Sequence, residues 1–215
     1  MINSGNYICI EGNIGTGKTT LCELIQQRDQ CKLILEEFAD NPFLKYFYED
    51  PERYSFTVEL FFLTERHKQL KNDLLQPDLF ITYYLSDYCL IKSLLFAKNN
   101  LKQEEEFKLY NKLYNSLSND FRKPDRILYI HRPINIIQKQ IKARGRSYEL
   151  EIPDAYLQSI EEMYFQYFQT LKDTPCIILH CGEVDYINNP NAFEQIYQCL
   201  HKEFTTGIHH IEVKM

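Results

Sequence analysis

The stretch "EGNIGTGKTT", Glu11–Thr20, follows the short apolar run Tyr7–Ile10 and holds three of the chain's seven glycines. Within it, Gly12-x-x-x-x-Gly17-Lys18-Thr19 has the spacing of a loop whose backbone N–H groups turn inward around phosphate oxygens, provided a strand precedes it and a helix follows. Both conditions are met in the pattern. Tyr7–Glu11 reads as a buried strand, and Lys18–Gln27 carries Leu21, Leu24 and Ile25 on one helical face. The helix start is then aimed at an anion. Gly12, Asn13, Ile14, Gly15, Thr16, Gly17, Lys18, Thr19 and Thr20 are read as the segment that holds a nucleoside triphosphate, with Lys18 on the β/γ oxygens and the Thr19 hydroxyl on Mg²⁺.

Four further short apolar or β-branched runs, Lys32–Glu36, Phe80–Leu85, Arg126–His131 and Cys176–His180, have the length of buried strands. Helical patterns separate them. Glu104–Leu117 repeats apolar residues at helical spacing, the long segment after Asp50 has Pro51 at its first position, and Pro133 and Pro153 mark two more helix starts. Alternating strands and helices predict an α/β fold with a parallel sheet wrapped on both faces. Residues 1–215 show no repeat and no linker rich in Pro, Gly or Ser, so a single domain is expected; the tail 205–215, "TTGIHHIEVKM", is read as flexible. Its adjacent His209 and His210 lack a third ligand and are read as solvated.

Bulk properties exclude several classes. A net charge of -6 argues against a dedicated nucleic-acid binder. No apolar run approaches a membrane span and no leader-like succession opens the chain, so no membrane partner and a cytoplasmic location are expected. The odd, scattered cysteines Cys9, Cys22, Cys31, Cys89, Cys176, Cys181 and Cys199 read as reduced core residues. A guanine-nucleotide switch needs D-x-x-G and N-K-x-D segments, neither of which occurs, and a motor or transport ATPase is normally longer. A small-molecule kinase is what remains.

Taken with "LEEFADNPFLKYFYEDPERYSFTVELFFL", "SDYCLIKSLLFAKNNL", "KPDRILYIHRP" and "IKARGRSYE", the loop resembles the deoxynucleoside kinase family, and within it the short bacterial deoxyadenosine/deoxyguanosine type, over about Tyr7 to Phe204. The resemblance implies ATP- and Mg²⁺-dependent transfer to the 5′-hydroxyl of a 2′-deoxynucleoside, a five-stranded parallel sheet, a small arginine-bearing lid near residues 144–149, and a homodimer. It makes Glu36, with Glu37 beside it as the alternative, the general base. Tyr48 matches the sugar-binding tyrosine and Glu149 the carboxylate on the 3′-hydroxyl, while Arg144 and Arg146 flank Gly145 as lid cations over the phosphates. Asp87 resembles the acid beside the magnesium ion, but Tyr88 stands where the family commonly has Arg. A second alignment puts Asp87 at that arginine position and Lys92 at a base-contacting aspartate.

Where many relatives place Gln to read the base edge, this chain has Glu59. A carboxylate only accepts hydrogen bonds, which suits guanine N1–H and N2–H₂, while Lys92 could serve O6. A purine acceptor with deoxyguanosine ahead of deoxyadenosine is the expectation, the competing reading being that Glu59 is tied to Arg66. Two other functions stay open at this point: a thymidylate-type nucleoside monophosphate kinase, disfavoured by the acidic "EEF" segment, and a non-catalytic nucleotide sensor, disfavoured by the retained carboxylates and lid arginines.

Overall fold

In the computed structural model, which describes residues 5–37, 41–74 and 81–214, six parallel strands form one sheet in the order β2-β3-β1-β4-β5-β6. These are β1 (Asn6–Gly12), β2 (Cys31–Ile34), β3 (Tyr83–Ser86), β4 (Arg126–His131), β5 (Pro175–His180) and β6 (Gly207–Glu212). The expectation of five strands is therefore corrected to six. The extra strand lies in the tail: α8 (Pro190–His201) crosses over and returns the chain beside β5, in register from Pro175↔Gly207 to His180↔Glu212. Its signal is weak because an edge strand is half exposed. Its burial alternates residue by residue, with polar His210 and Glu212 on the open face, so no continuous apolar run exists to be read. β1, flanked by strands on both sides, is buried from Tyr7 to Gly12.

Helices cover both faces. Ile8 and Ile10 of β1 pack on α1 (Lys18–Gln26) and α8, whereas Tyr7 faces α3 (Pro51–Leu74), α4 (Ile91–Asn100) and α5 (Glu104–Ser118). A further helix, α7 (Asp154–Phe168), packs on the latter side through Ile160, Tyr164 and Phe168. Local chemistry sets the helix starts: Arg53 N–H donates to Asp50 Oδ1 at 3.3 Å ahead of Pro51, as expected, and the Asn189 side chain accepts from Asn191 and Ala192 ahead of α8. Strand bounds moved: β2 ends at Ile34, and β3 begins at Tyr83, while Phe80 lies outside the described residues. All seven cysteines are buried and unbridged. Among the described residues no helix is long and apolar enough to cross a membrane.

The helix after β1 packs on one face and the helix after β3 on the other, so a crevice opens between the carboxyl ends of these neighbouring strands. Gly12 and Asp87 stand on either side of it.

Candidate active site

The loop between β1 and α1 is held by its own side chains and by distant elements. Asn13 donates to Leu157 O at 2.7 Å and accepts from Ile14 N–H, Thr16 Oγ1 donates to Asn13 O, and Tyr186 donates to Thr16 O at 2.9 Å. Asn13 and Thr16 are thus buried in the scaffold, and only their backbone is left for a ligand. A Cβ at Gly12 would lie 2.9 Å from Ile130 O, and one at Gly17, where φ is +87°, would lie 2.6 Å from the Tyr186 hydroxyl; no larger residue fits either place. Lys18 Nζ donates to Gly12 O at 3.0 Å and Asn13 O at 2.8 Å, curled over its own loop. Burial lowers its pKa to about 8, with Lys92 acting in the same direction against the acids around it.

From Thr19 a chain of contacts runs to Glu36. Thr19 Oγ1 donates to Asp87 Oδ2 at 2.5 Å, and Glu36 N–H donates to Asp87 Oδ1 at 2.7 Å, one residue past the end of β3. Burial raises the Asp87 pKa, and the Glu36 charge adds to it. Glu36 carries two cations: Arg66 through Nε at 2.7 Å and a second guanidinium nitrogen at 2.5 Å, and Lys92 Nζ at 2.5 Å. Burial opposes its charge, but Arg66 and Lys92 outweigh it and hold the carboxyl down at about 2. Glu37, the alternative base, is exposed at the cavity rim.

Arg66 is the residue that sequence reasoning missed. The sequence offers it only as a partner for Glu59, yet it supplies the guanidinium beside Glu36 from α3, on a different element from the one where the resemblance places an arginine. Tyr88, at that position, is buried and donates to Gln69 at 2.6 Å. Lys92 is likewise committed to Glu36. The signal that could have found Arg66 is its placement two turns after Glu59 on one long helix, hence on the same face. Arg132, also unforeseen, donates to Gly182 O and Val184 O, both at 2.9 Å, and so holds the loop after β5 against the cavity.

At the far end Tyr48, on α2 (Leu44–Glu49), stacks on Tyr148 with centroids 5.9 Å apart. Glu149 closes a short turn, Ser147–Glu149, after α6 (Ile134–Arg144) and Gly145, and pairs with Arg144 and, at 3.4 Å, with Arg146. Arg144 and Arg146, expected over the phosphates, therefore both meet Glu149 here. Glu59 accepts from Asn100 Nδ2 at 2.6 Å on one oxygen; Arg66 makes no hydrogen bond to it and is turned to Glu36 and Ser93. Burial lifts the Glu59 carboxyl to about 7 against the pull of Arg66 and Asn100.

A single cavity of about 960 Å³ joins these groups: Ile14, Gly15, Gly17, Lys18, Thr19 and Thr20 line one end, Glu36, Asp87 and Lys92 the middle, and Tyr48, Glu59 and Glu149 the other end, with Arg144 and Arg146 at the margin. Its size suits two small molecules end to end. Thr19 and Asp87 bring a hydroxyl and a carboxylate together, the hard oxygen donors that fit a Mg²⁺ ion.

Residues 8–206 match the family model described as deoxynucleoside kinase. The chain is 32% identical over 202 residues to a deoxyguanosine kinase of Bacillus subtilis (strain 168), covering 91% of this chain and 96% of that one. It is 27% identical over 202 residues to a deoxyadenosine kinase of Lactobacillus acidophilus, covering 88% and 92%. Its fold matches a structure of deoxyadenosine kinase from M. mycoides with bound dATP at a TM-score of 0.77 and 24% identity, over 91% of this chain and 98% of that one.

Proposed function

We propose that this chain, which belongs to the deoxynucleoside kinase family, transfers the γ-phosphoryl group of ATP to the 5′-hydroxyl of a purine 2′-deoxynucleoside for nucleotide salvage, deoxyguanosine ahead of deoxyadenosine. The observation that carries the reading is the one cavity with Lys18 and Thr19 at one end and Glu36, Tyr48, Glu59 and Glu149 beyond them.

In this reading the loop backbone and Lys18 hold the β- and γ-phosphates. Lys18 leaves the carbonyls of Gly12 and Asn13 to do so, and its ammonium stays charged at neutral pH. Thr19 and Asp87 hold Mg²⁺, which when bound supplies charge neutralisation at the β/γ oxygens. The 5′-hydroxyl displaces Lys92 from Glu36, so the carboxylate orients the attacking oxygen and takes its proton as transfer proceeds. With Lys92 displaced, Arg66 still holds the carboxyl down, so Glu36 is a weak base, which suits a loose transition state in which the proton leaves late and positioning does most of the work. The sugar 3′-hydroxyl donates to Glu149, competing with Arg144 and Arg146 and freeing them to turn towards the phosphates. A homodimer in the cytoplasm belongs to the same reading, supported by the family and by the reduced, buried cysteines.

The test is initial rates with ATP-Mg²⁺ and each of the four deoxynucleosides and their monophosphates. Turnover of the purine deoxynucleosides is expected; turnover of monophosphates alone, or of neither set, overturns the reading.

A further inference from the structure

The two carboxyl oxygens of Glu59 are in different states. Oε1 accepts from Asn100 Nδ2 at 2.6 Å, and Asn100 is itself oriented by Asn99 Nδ2, which donates to its carbonyl oxygen at 3.1 Å. Oε2 is buried and has no hydrogen-bond partner among the described residues. The residue is only 2% exposed, yet it lines the acceptor end of the cavity. A buried polar atom left unmet is costly, so its place at a cavity wall points to a ligand that meets it.

The surrounding groups do not supply that partner. On α3 itself, Arg66 is spent on Glu36 and Ser93; from α4, Lys92 is spent on Glu36. From α5 the Tyr110 hydroxyl is directed to the carbonyls of Ser93 and Glu59, at 3.1 and 3.4 Å. Tyr156 of α7 is near Glu59 but is directed to the Asn100 side chain, and Glu36, after β2, is already neutralised by its two cations.

We infer that Glu59, oriented by Asn100, is a proton-dependent purine selector: ionised, its oxygens accept from guanine N1–H and N2–H₂; protonated on Oε2, it donates to adenine N1 while Oε1 accepts from N6–H₂. No proton leaves the residue in either mode. Each form presents the hydrogen-bond pattern that one purine needs and the other rejects. Both forms are populated near neutrality, since burial holds the carboxyl at about 7. The selector rests on the proposed function and adds to it why one site takes both purines.

The test is direct competition between deoxyguanosine and deoxyadenosine with ATP-Mg²⁺, measuring the ratio of their kcat/KM values from about pH 6 to about pH 8. Both substrates draw on the same enzyme, so the folded fraction and the ionisation of Lys18 or ATP cancel in the ratio. The ratio should rise about tenfold per pH unit in favour of deoxyguanosine, because it follows the ratio of ionised to protonated Glu59. In Glu59→Gln it should be flat with pH. Asn100→Ser removes the donor to Oε1, which raises the carboxyl's titration. At any one pH this should shift the ratio towards deoxyadenosine with the slope kept, whereas a purely structural role would lower both substrates together. A flat ratio in the native enzyme that phosphorylates both purines overturns the selector and leaves the kinase reading standing. Phosphorylation of neither purine overturns both.

Discussion

The two ends of the cavity are built on different principles. At the loop end the ligand-facing groups are mostly backbone, shaped by glycines that no other residue can replace and fastened by Asn13, Thr16 and Tyr186. At the acceptor end they are side chains brought from the segment after β2, from α2, α3, α4 and α6, and from the turn after α6, and they hold one another: Glu36 with Arg66 and Lys92, Glu149 with Arg144 and Arg146. A backbone cradle recognises any polyphosphate, whereas a side-chain network can be retuned one residue at a time. The donor end should therefore respond to substitution nearly all-or-none, and the acceptor end by degrees.

The largest effect is expected at the donor end. Lys18→Met should lower kcat by about 10³-fold or more, while deoxynucleoside binding, measured by calorimetry, stays near the native value. Glu36→Gln should cost about 10²- to 10⁴-fold in kcat with acceptor affinity nearly intact; near-normal turnover would move the base to Glu37 and erase the distinction between the ends.

Arg66→Met separates structure from chemistry at the acceptor end. It leaves a buried carboxylate with Lys92 alone, and stability should fall by about 3–5 kcal/mol in denaturant unfolding. The pH dependence has a definite sign. The Glu36 pKa is depressed in the folded chain, so its contribution is present above the ordinary carboxylate range and is lost only as pH falls towards about 2. Without Arg66 the folded pKa rises, and acid unfolding should begin at higher pH. The smallest effect belongs to Tyr148→Ala. This removes the ring stacked on Tyr48 and should raise the deoxynucleoside KM by about 2- to 10-fold with kcat unchanged, a stacking loss of about 0.5–1.5 kcal/mol.

The same contrast decides what could be read from the chain. The donor loop is contiguous, and strand, glycine spacing, Lys18 and Thr19 declare it within ten residues of sequence. The central strands were legible because burial on both faces makes them apolar throughout; β6 was not, because a half-exposed edge strand interleaves His209, His210 and Glu212 with its apolar positions. At the acceptor end the positions Glu36, Tyr48, Glu59, Lys92 and Glu149 do reach the cavity, but their partners were not legible. Nothing local in "DYCLIK" says that the cation beside Glu36 comes from Arg66 on α3, or that Asn100 takes one oxygen of Glu59. Such pairings depend on tertiary packing of elements far apart in sequence.

The central claim is that both reactants meet in this one cavity and the phosphoryl group passes directly between them. The stereochemical course with ATP made chiral at the γ-phosphorus tests it. Inversion of configuration in the deoxynucleoside 5′-phosphate is the result expected of a single in-line transfer, and retention, which requires a phosphorylated enzyme intermediate, would contradict it.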